Sequence, residues 1–259
     1  MSKVVVNMRF DENGFHDLTG KVWQDYNVTY EEPGVFGGRC AYFNGSAKIL
    51  AEADEKLNFG TNDFTFSCWV KRDVQKVGGL IGETTAGYSS GFIYTGISGS
   101  SLLPAAVVVN NAWQSALYAK NLSPADNVWH HVALVRKDGV FKFFIDGKIV
   151  IDDVNKKFIT ANYDLGKKGT ILGDTGYGGT NNYHGFKGYL DDVVITGEAL
   201  WTEEFEPPEN PLGNEDKEEG CNCKGVLGYI PVYICEDDCA CSDSKCFKFV
   251  SCDKIKDVK

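Results

Sequence analysis

Two Asp-Gly dipeptides constrain this chain more than any other feature. Asp138-Gly139 and Asp146-Gly147 punctuate three short apolar runs, His131–Arg136, Val140–Ile145 and Lys148–Ile151. Tight two-residue turns need positive φ angles, which Asp and Gly supply. Runs this short, joined this tightly, predict an antiparallel meander. Further turn pairs at Asn13-Gly14, Gly37-Gly38 and Asn44-Gly45 extend the pattern through residues 1–206. No segment of ordinary helix length keeps a 3.6-residue period, and only Ala51–Leu57 suggests a short helical turn. The fold class predicted from these turns is all-β, of short antiparallel strands. Composition supports it: 29 glycines outnumber 7 prolines, and aromatics reach 13%, as strands joined by open turns require. With 43% apolar residues in 259, a sizeable core is expected.

Charge and hydropathy exclude several classes of partner. The net charge of −10 argues against nucleic acid, whose phosphates need a basic surface. No apolar run approaches a membrane span. Val4-Val5-Val6 is too short for a signal-peptide core and is interrupted by Asn7, so no Sec signal is visible. The expectation is a chain that stays inside or leaves as part of something larger.

The nine cysteines are unevenly placed. Cys40 and Cys68 lie in the main domain, and the other seven fall between Cys221 and Cys252. The organisation predicted is a sandwich over 1–206, a proline-rich acidic linker over 207–220, and a cysteine-rich tail over 221–259. A tail this small needs disulfides or a metal to fold, so Zn²⁺ is the alternative if its thiols are not paired. An odd count of seven leaves one thiol over. Strand alternation puts Cys68 inward with Phe64, Phe66 and Val70, but Cys40 outward with Tyr42, so these two are not expected to pair.

Four segments, in order, carry a family resemblance. They are Cys40-Ala41-Tyr42-Phe43-Asn44-Gly45-Ser46, Phe64-Thr65-Phe66-Ser67-Cys68-Trp69-Val70-Lys71, Trp129-His130-His131-Val132-Ala133 with Ile145-Asp146-Gly147, and Phe186-Lys187-Gly188-Tyr189-Leu190-Asp191-Asp192-Val193. Together they resemble the LamG-type (laminin-G-like, concanavalin A-like lectin) jelly roll. The closing segment Ile195–Pro208 is similar to that of LamG-type domains in bacteriophage structural proteins. The resemblance implies two face-to-face sheets and a virion or extracellular surface setting. Its implied partners are a glycan or cell-surface polysaccharide, or other virion subunits. It also implies one structural Ca²⁺, for which Asp11, Asn13 and Asp191 match best. Hard oxygen ligands suit that ion, although Asp11–Gly14 also reads as a plain turn.

The same superfamily hosts glycoside hydrolases, which need two carboxylates aimed at one face. No Glu-x-Asp-x-Glu strand occurs here, and Asp191-Asp192, being adjacent, are expected on opposite faces. The reading is therefore a non-catalytic binding module, with a purely structural decoration protein as its rival and a glycoside hydrolase as the third reading. Sugars offer hydroxyls and apolar C–H faces, so a site needs amides or carboxylates beside aromatic rings. Asp174, Asn181 and Asn182 with Tyr177, Tyr183 and Trp113 have that composition in two loop segments. Trp69 is expected on the outer face, as a stacking platform or under a crossing loop. His130 and His131 are expected to pack and hydrogen-bond.

Overall fold

The computed structural model describes residues 4–11, 14–31, 33–73, 78–83, 91–98, 101–109, 117–118, 127–156, 159–174 and 185–212, with strand pairing alone between 91 and 118. By its internal contacts the chain divides into Met1–Gly213 and Asn214–Lys259, and the described residues belong to the first unit. The predicted cysteine-rich tail lies outside them. The first unit runs past Glu206, because Leu212 is hydrogen-bonded to the sandwich: its N–H donates to Asp192 Oδ2 at 3.1 Å, and its carbonyl accepts from Arg9 Nη2.

The described residues are almost all β. A nine-stranded sheet has the order Lys148–Asp152, Val140–Ile145, His130–Lys137, Phe64–Arg72, Lys187–Thr196, Val4–Arg9, His16–Asp17, with Cys40–Asn44 also paired to Lys187–Thr196 and Thr29–Glu31 beyond it. A seven-stranded sheet includes Gly78–Glu83, Thr170–Leu172 and Lys48–Ala51. The expected meander is present, and both of its turns have the required angles: Asp138 and Gly139 at φ 48° and 79°, Asp146 and Gly147 at 49° and 71°. The helical turn is a single 3₁₀ turn, Glu55–Leu57, capped by the Asp54 side chain accepting from Lys56 N.

Alternation fills the space between the sheets. Phe43, Phe64, Phe66, Cys68, Val70, Leu134, Phe143 and Leu190 face Ile49, Leu80, Ile81 and Leu172 in one buried cluster. Cys40 and Cys68 are both free, as expected from their opposite faces. Cys40 is nonetheless buried, its thiol directed at the carbonyls of Glu31 and Pro33.

The strand Lys187–Thr196 is the organising element. Its first half pairs with Cys40–Asn44 and its second half with Val4–Arg9, while Phe64–Arg72 runs along its other edge. Between the halves the register slips at Asp191–Val194, and Asp192 adopts φ 49°. This bulge overturns the expectation for Asp191 and Asp192. Leu190 and Val193 are both in the core, so the two residues between them share the outer face. An extra residue in the left-handed region breaks the two-residue alternation that adjacency would otherwise impose.

Each carboxylate anchors a covering segment. Asp191 Oδ2 accepts from Val35 N at 2.8 Å, holding the loop Pro33–Arg39 against the sheet. Asp192 forms an ion pair with Arg9, and both then bind the Leu212 backbone. This pair is buried, with side-chain exposures of 8% and 2%. Removing one partner strands the other charge, which typically costs about 3–5 kcal/mol. Arg9→Met or Asp192→Asn should therefore lower unfolding free energy in urea by about that amount. A loss of under roughly 1 kcal/mol, the scale of an exposed pair, would show that the ion pair does not hold the strap, the segment that follows Thr196, against the sheet.

Candidate functional site

The outer face of the nine-stranded sheet is divided into three zones. In the first, the segment after the last strand crosses the sheet. Ala199, Trp201 and Phe205 pack on Ala133, Val135 and Phe144. Trp201 and Phe205 stack at 4.2 Å, and each meets His131 edge-on. His131 is fully buried and bonded through Nε2 to Ser67 Oγ at 2.8 Å. Burial pulls its pKa down to about 4, so the ring is neutral at ordinary pH. His130 is held by Asp146 at 2.6 Å. Both histidines do what their strand position predicts, and the Ser-His contact is sealed under the strap.

In the second zone the loop Pro33–Arg39 covers the sheet. Phe36 meets Trp69 edge-on at 5.9 Å, so a crossing loop lies against Trp69 and leaves it half-buried. Beneath this loop lies Asp191, one of the expected metal residues, while Asp11 is exposed beside it. Asp191 is 4% exposed, and burial, reinforced by Asp11, raises its carboxyl to about 7. A Cβ placed on Gly34 would stand 2.6 Å from Asp191 Oδ2 and 2.7 Å from the carbonyl oxygens of Gly37 and Arg39. These atoms pack against the Gly34 backbone, so only glycine lets the loop lie this close to Asp191. Asp11 Oδ1 borders the same loop, 2.8 Å from a Cβ built on Gly38. Asp11 and Asp191, near enough for the charge of one to raise the other, are hard oxygen donors of the kind Ca²⁺ takes. Asn13 lies outside the described residues. Among the described residues no three Asp, Glu, His or Cys side chains converge as a metal site.

The third zone is a transverse row that sequence reasoning missed. Tyr42, Tyr189 and Lys71 are direct neighbours in register on three adjacent strands, and Trp129 follows beyond, since His130 pairs with Val70. Tyr42 and Tyr189 lie 4.8 Å apart, and Tyr189 and Trp129 6.4 Å. Lys71 Nζ sits 4.1 Å over Tyr189 and 5.0 Å over Trp129. Tyr42 donates its O–H to Asp73 at 2.8 Å, and Tyr189 to Glu31 at 3.1 Å. Burial and these carboxylates push both phenols up to about 12. All three rings are half-buried. The signal available was alternation: Tyr42 and Tyr189 each adjoin a core residue, Phe43 and Leu190, and so had to point outward.

The loop site expected from composition fares differently. Asp174 is only 3% exposed, buried just after Gly173, whose N–H bonds Leu80 O, and so is closed to a surface ligand. Trp113, Tyr177, Asn181, Asn182 and Tyr183 lie outside the described residues.

With this geometry in place, residues 43–205 match the concanavalin A-like lectin/glucanases superfamily. The chain belongs to that superfamily. Similar solved structures are consistent with a lectin-like sandwich. One is domain 4 of AbnA, a GH43 extracellular arabinanase from Geobacillus stearothermophilus, in complex with arabinotriose. It is 17% identical with a TM-score of 0.60, over 77% of this chain and 95% of that one. Another is the binding domain of Paraclostridial Mosquitocidal Protein 1, 15% identical with a TM-score of 0.56, over 77% of this chain and 50% of that one. A third is the binding domain of botulinum neurotoxin DC in complex with SialylT, 14% identical with a TM-score of 0.54, over 77% and 49%. At these identities the likeness is one of fold, and the lectin-like chain spans about half of either toxin domain. No curated protein matches it in sequence.

Proposed function

We propose that this lectin-like sandwich is a non-catalytic glycan-binding module that uses the open row Tyr42–Tyr189–Lys71–Trp129. The observation that carries this reading is the row itself. Three half-buried rings lie side by side, with an ammonium donor at the centre and two carboxylate acceptors, Asp73 and Glu31, at the phenolic ends. Rings match the C–H faces of a sugar. Lys71 can donate to ring or hydroxyl oxygens, and the carboxylates can accept from hydroxyls. The flanking negative charges favour a neutral sugar over an acidic one. The arabinanase domain, matched over nearly its whole length, was solved with arabinotriose, which supports a saccharide partner.

The non-catalytic part rests on Asp191 and Asp192. Both are committed to Val35, Arg9 and Leu212 beneath covering segments, not open to substrate. The virion setting rests on the resemblance of Ile195–Pro208 to phage domains. Ca²⁺ belongs to the same reading: Asp191 and Asp11, with Asn13 as the third expected ligand, would hold it, and it would stiffen the loop over Trp69.

On a glycan array, the full chain should bind neutral oligosaccharides in preference to sialylated or uronic ones. Trp129→Ala and Tyr189→Ala should each weaken that binding at least tenfold with little change in melting temperature. No binding to any glycan would favour the purely structural decoration protein instead. Separately, millimolar Ca²⁺ should raise the melting temperature by roughly 5–10 °C over chelator if it exceeds Kd a hundredfold. Asp191→Asn should lose that rise, and an unchanged melting temperature in the parent chain would remove the ion.

A further inference from the structure

Three features unused by the row coincide at one place on the sandwich. The first is a cleft of about 740 Å³, lined among others by Lys56, Thr61, Asn62, Asp63, Asp138 and Ile159. That volume is within the range of small-ligand sites. It opens where Phe64–Arg72 begins and His130–Lys137 ends, whereas the row crosses those strands at Lys71 and Trp129. Cleft and row therefore occupy opposite ends of the strands.

The second feature is Arg136, a fully buried guanidinium. It donates to the carbonyls of Gly60, Ala161 and Ile159, and lies over the Phe141 ring at 5.1 Å. One rigid fork thus ties together the two loops that wall the cleft. The turn is fixed as well: Asp63 accepts from Lys137 Nζ at 2.7 Å and from Asp138 N at 2.8 Å. The third feature is Ile159, which is 45% exposed although aliphatic. It rests on Gly139, where an added Cβ would come within 2.6 Å of its Cγ1, so its outer side stays turned to the cleft.

We infer that this cleft is a second binding site, for one neutral saccharide unit, independent of the aromatic row. Lys56, Asp63 and Asp138 line it, and Lys137 next to it is paired with Asp63, so the formal charges balance and the site does not select an ion. Thr61, Asn62, Lys56 and Asp138 offer donors and acceptors, and Ile159 an apolar patch. Arg136 is a positioning residue: it holds carbonyls and stays out of reach of the ligand. Two sites at opposite ends would let one domain hold two chains of a polysaccharide.

The test uses isoleucine-methyl NMR on the full chain, with the Ile159 peak assigned by its loss in Ile159→Val. The probes are arabinotriose, cellobiose and maltose. At least one should move the Ile159 peak saturably, in the millimolar range. Asn62→Ala combined with Asp138→Asn should weaken that effect at least tenfold; both side chains are exposed, and an unchanged melting temperature confirms the fold. Trp129→Ala should leave it intact. The inference is overturned if no probe moves the peak or if the shift survives the double substitution. It is equally overturned if Trp129→Ala abolishes the shift, since the effect would then come from the row.

Discussion

Arg9 and Asp192 form a buried ion pair at a bulge in the middle of the strand Lys187–Thr196, and the outer face of the sandwich is arranged around it. The bulge lies where that strand changes neighbours, from Cys40–Asn44 to Val4–Arg9. Slipping one residue there turns two carboxylates to the same side. Asp191 then fastens the loop before Cys40, and Asp192 with Arg9 fastens the strap after Thr196. Two segments distant in sequence are thus tied down within two residues of one strand. Charges this deep are stable only when fully partnered. Here the partners are backbone N–H groups and a guanidinium.

Covering most of a sheet face has a consequence for what stays uncovered. Trp201 and Phe205 close the face over His131 and Ala133, and Phe36 closes it over Trp69. The aromatic side chains left at the third zone are Tyr42, Tyr189 and Trp129. They are placed by register on adjacent strands, tilted to one another by 45° and 62°, and the two tyrosines are further held by phenol–carboxylate hydrogen bonds, which leaves them less freedom to lose on binding. Preorganised rings of this kind bind with less entropic cost than rings on loops. The platform is therefore a product of the same strand order that builds the core.

Much of the fold was legible in the sequence, and the reason is local. Asp138-Gly139 and Asp146-Gly147 specify their turns by backbone preference alone, and the Phe64–Val70 alternation specifies which side is core. The site was less legible because it depends on register between distant strands. Tyr42, Lys71, Trp129 and Tyr189 are separated by long stretches of chain, and nothing local says that they stand side by side. Asp191 and Asp192 misled for a related reason. Adjacency implies opposite faces only in an unbroken strand, and the positive φ of Asp192 is set by packing against Arg9 and the strap. Gly34 is similar: in sequence it is a turn residue, and only the fold shows that atoms of Asp191, Gly37 and Arg39 pack against its backbone.

Hydroxyl-radical footprinting of the full chain, with and without a neutral oligosaccharide that it binds, tests this account most directly. Trp129, Tyr42 and Tyr189 should be protected when the glycan is present. Trp201, Phe205 and Phe36 are half-buried to a similar degree but lie off the row, so their rates should not change with the glycan. Glycan protection of Trp201, Phe205 and Phe36, or glycan protection that bypasses Trp129 and Tyr189, would contradict it.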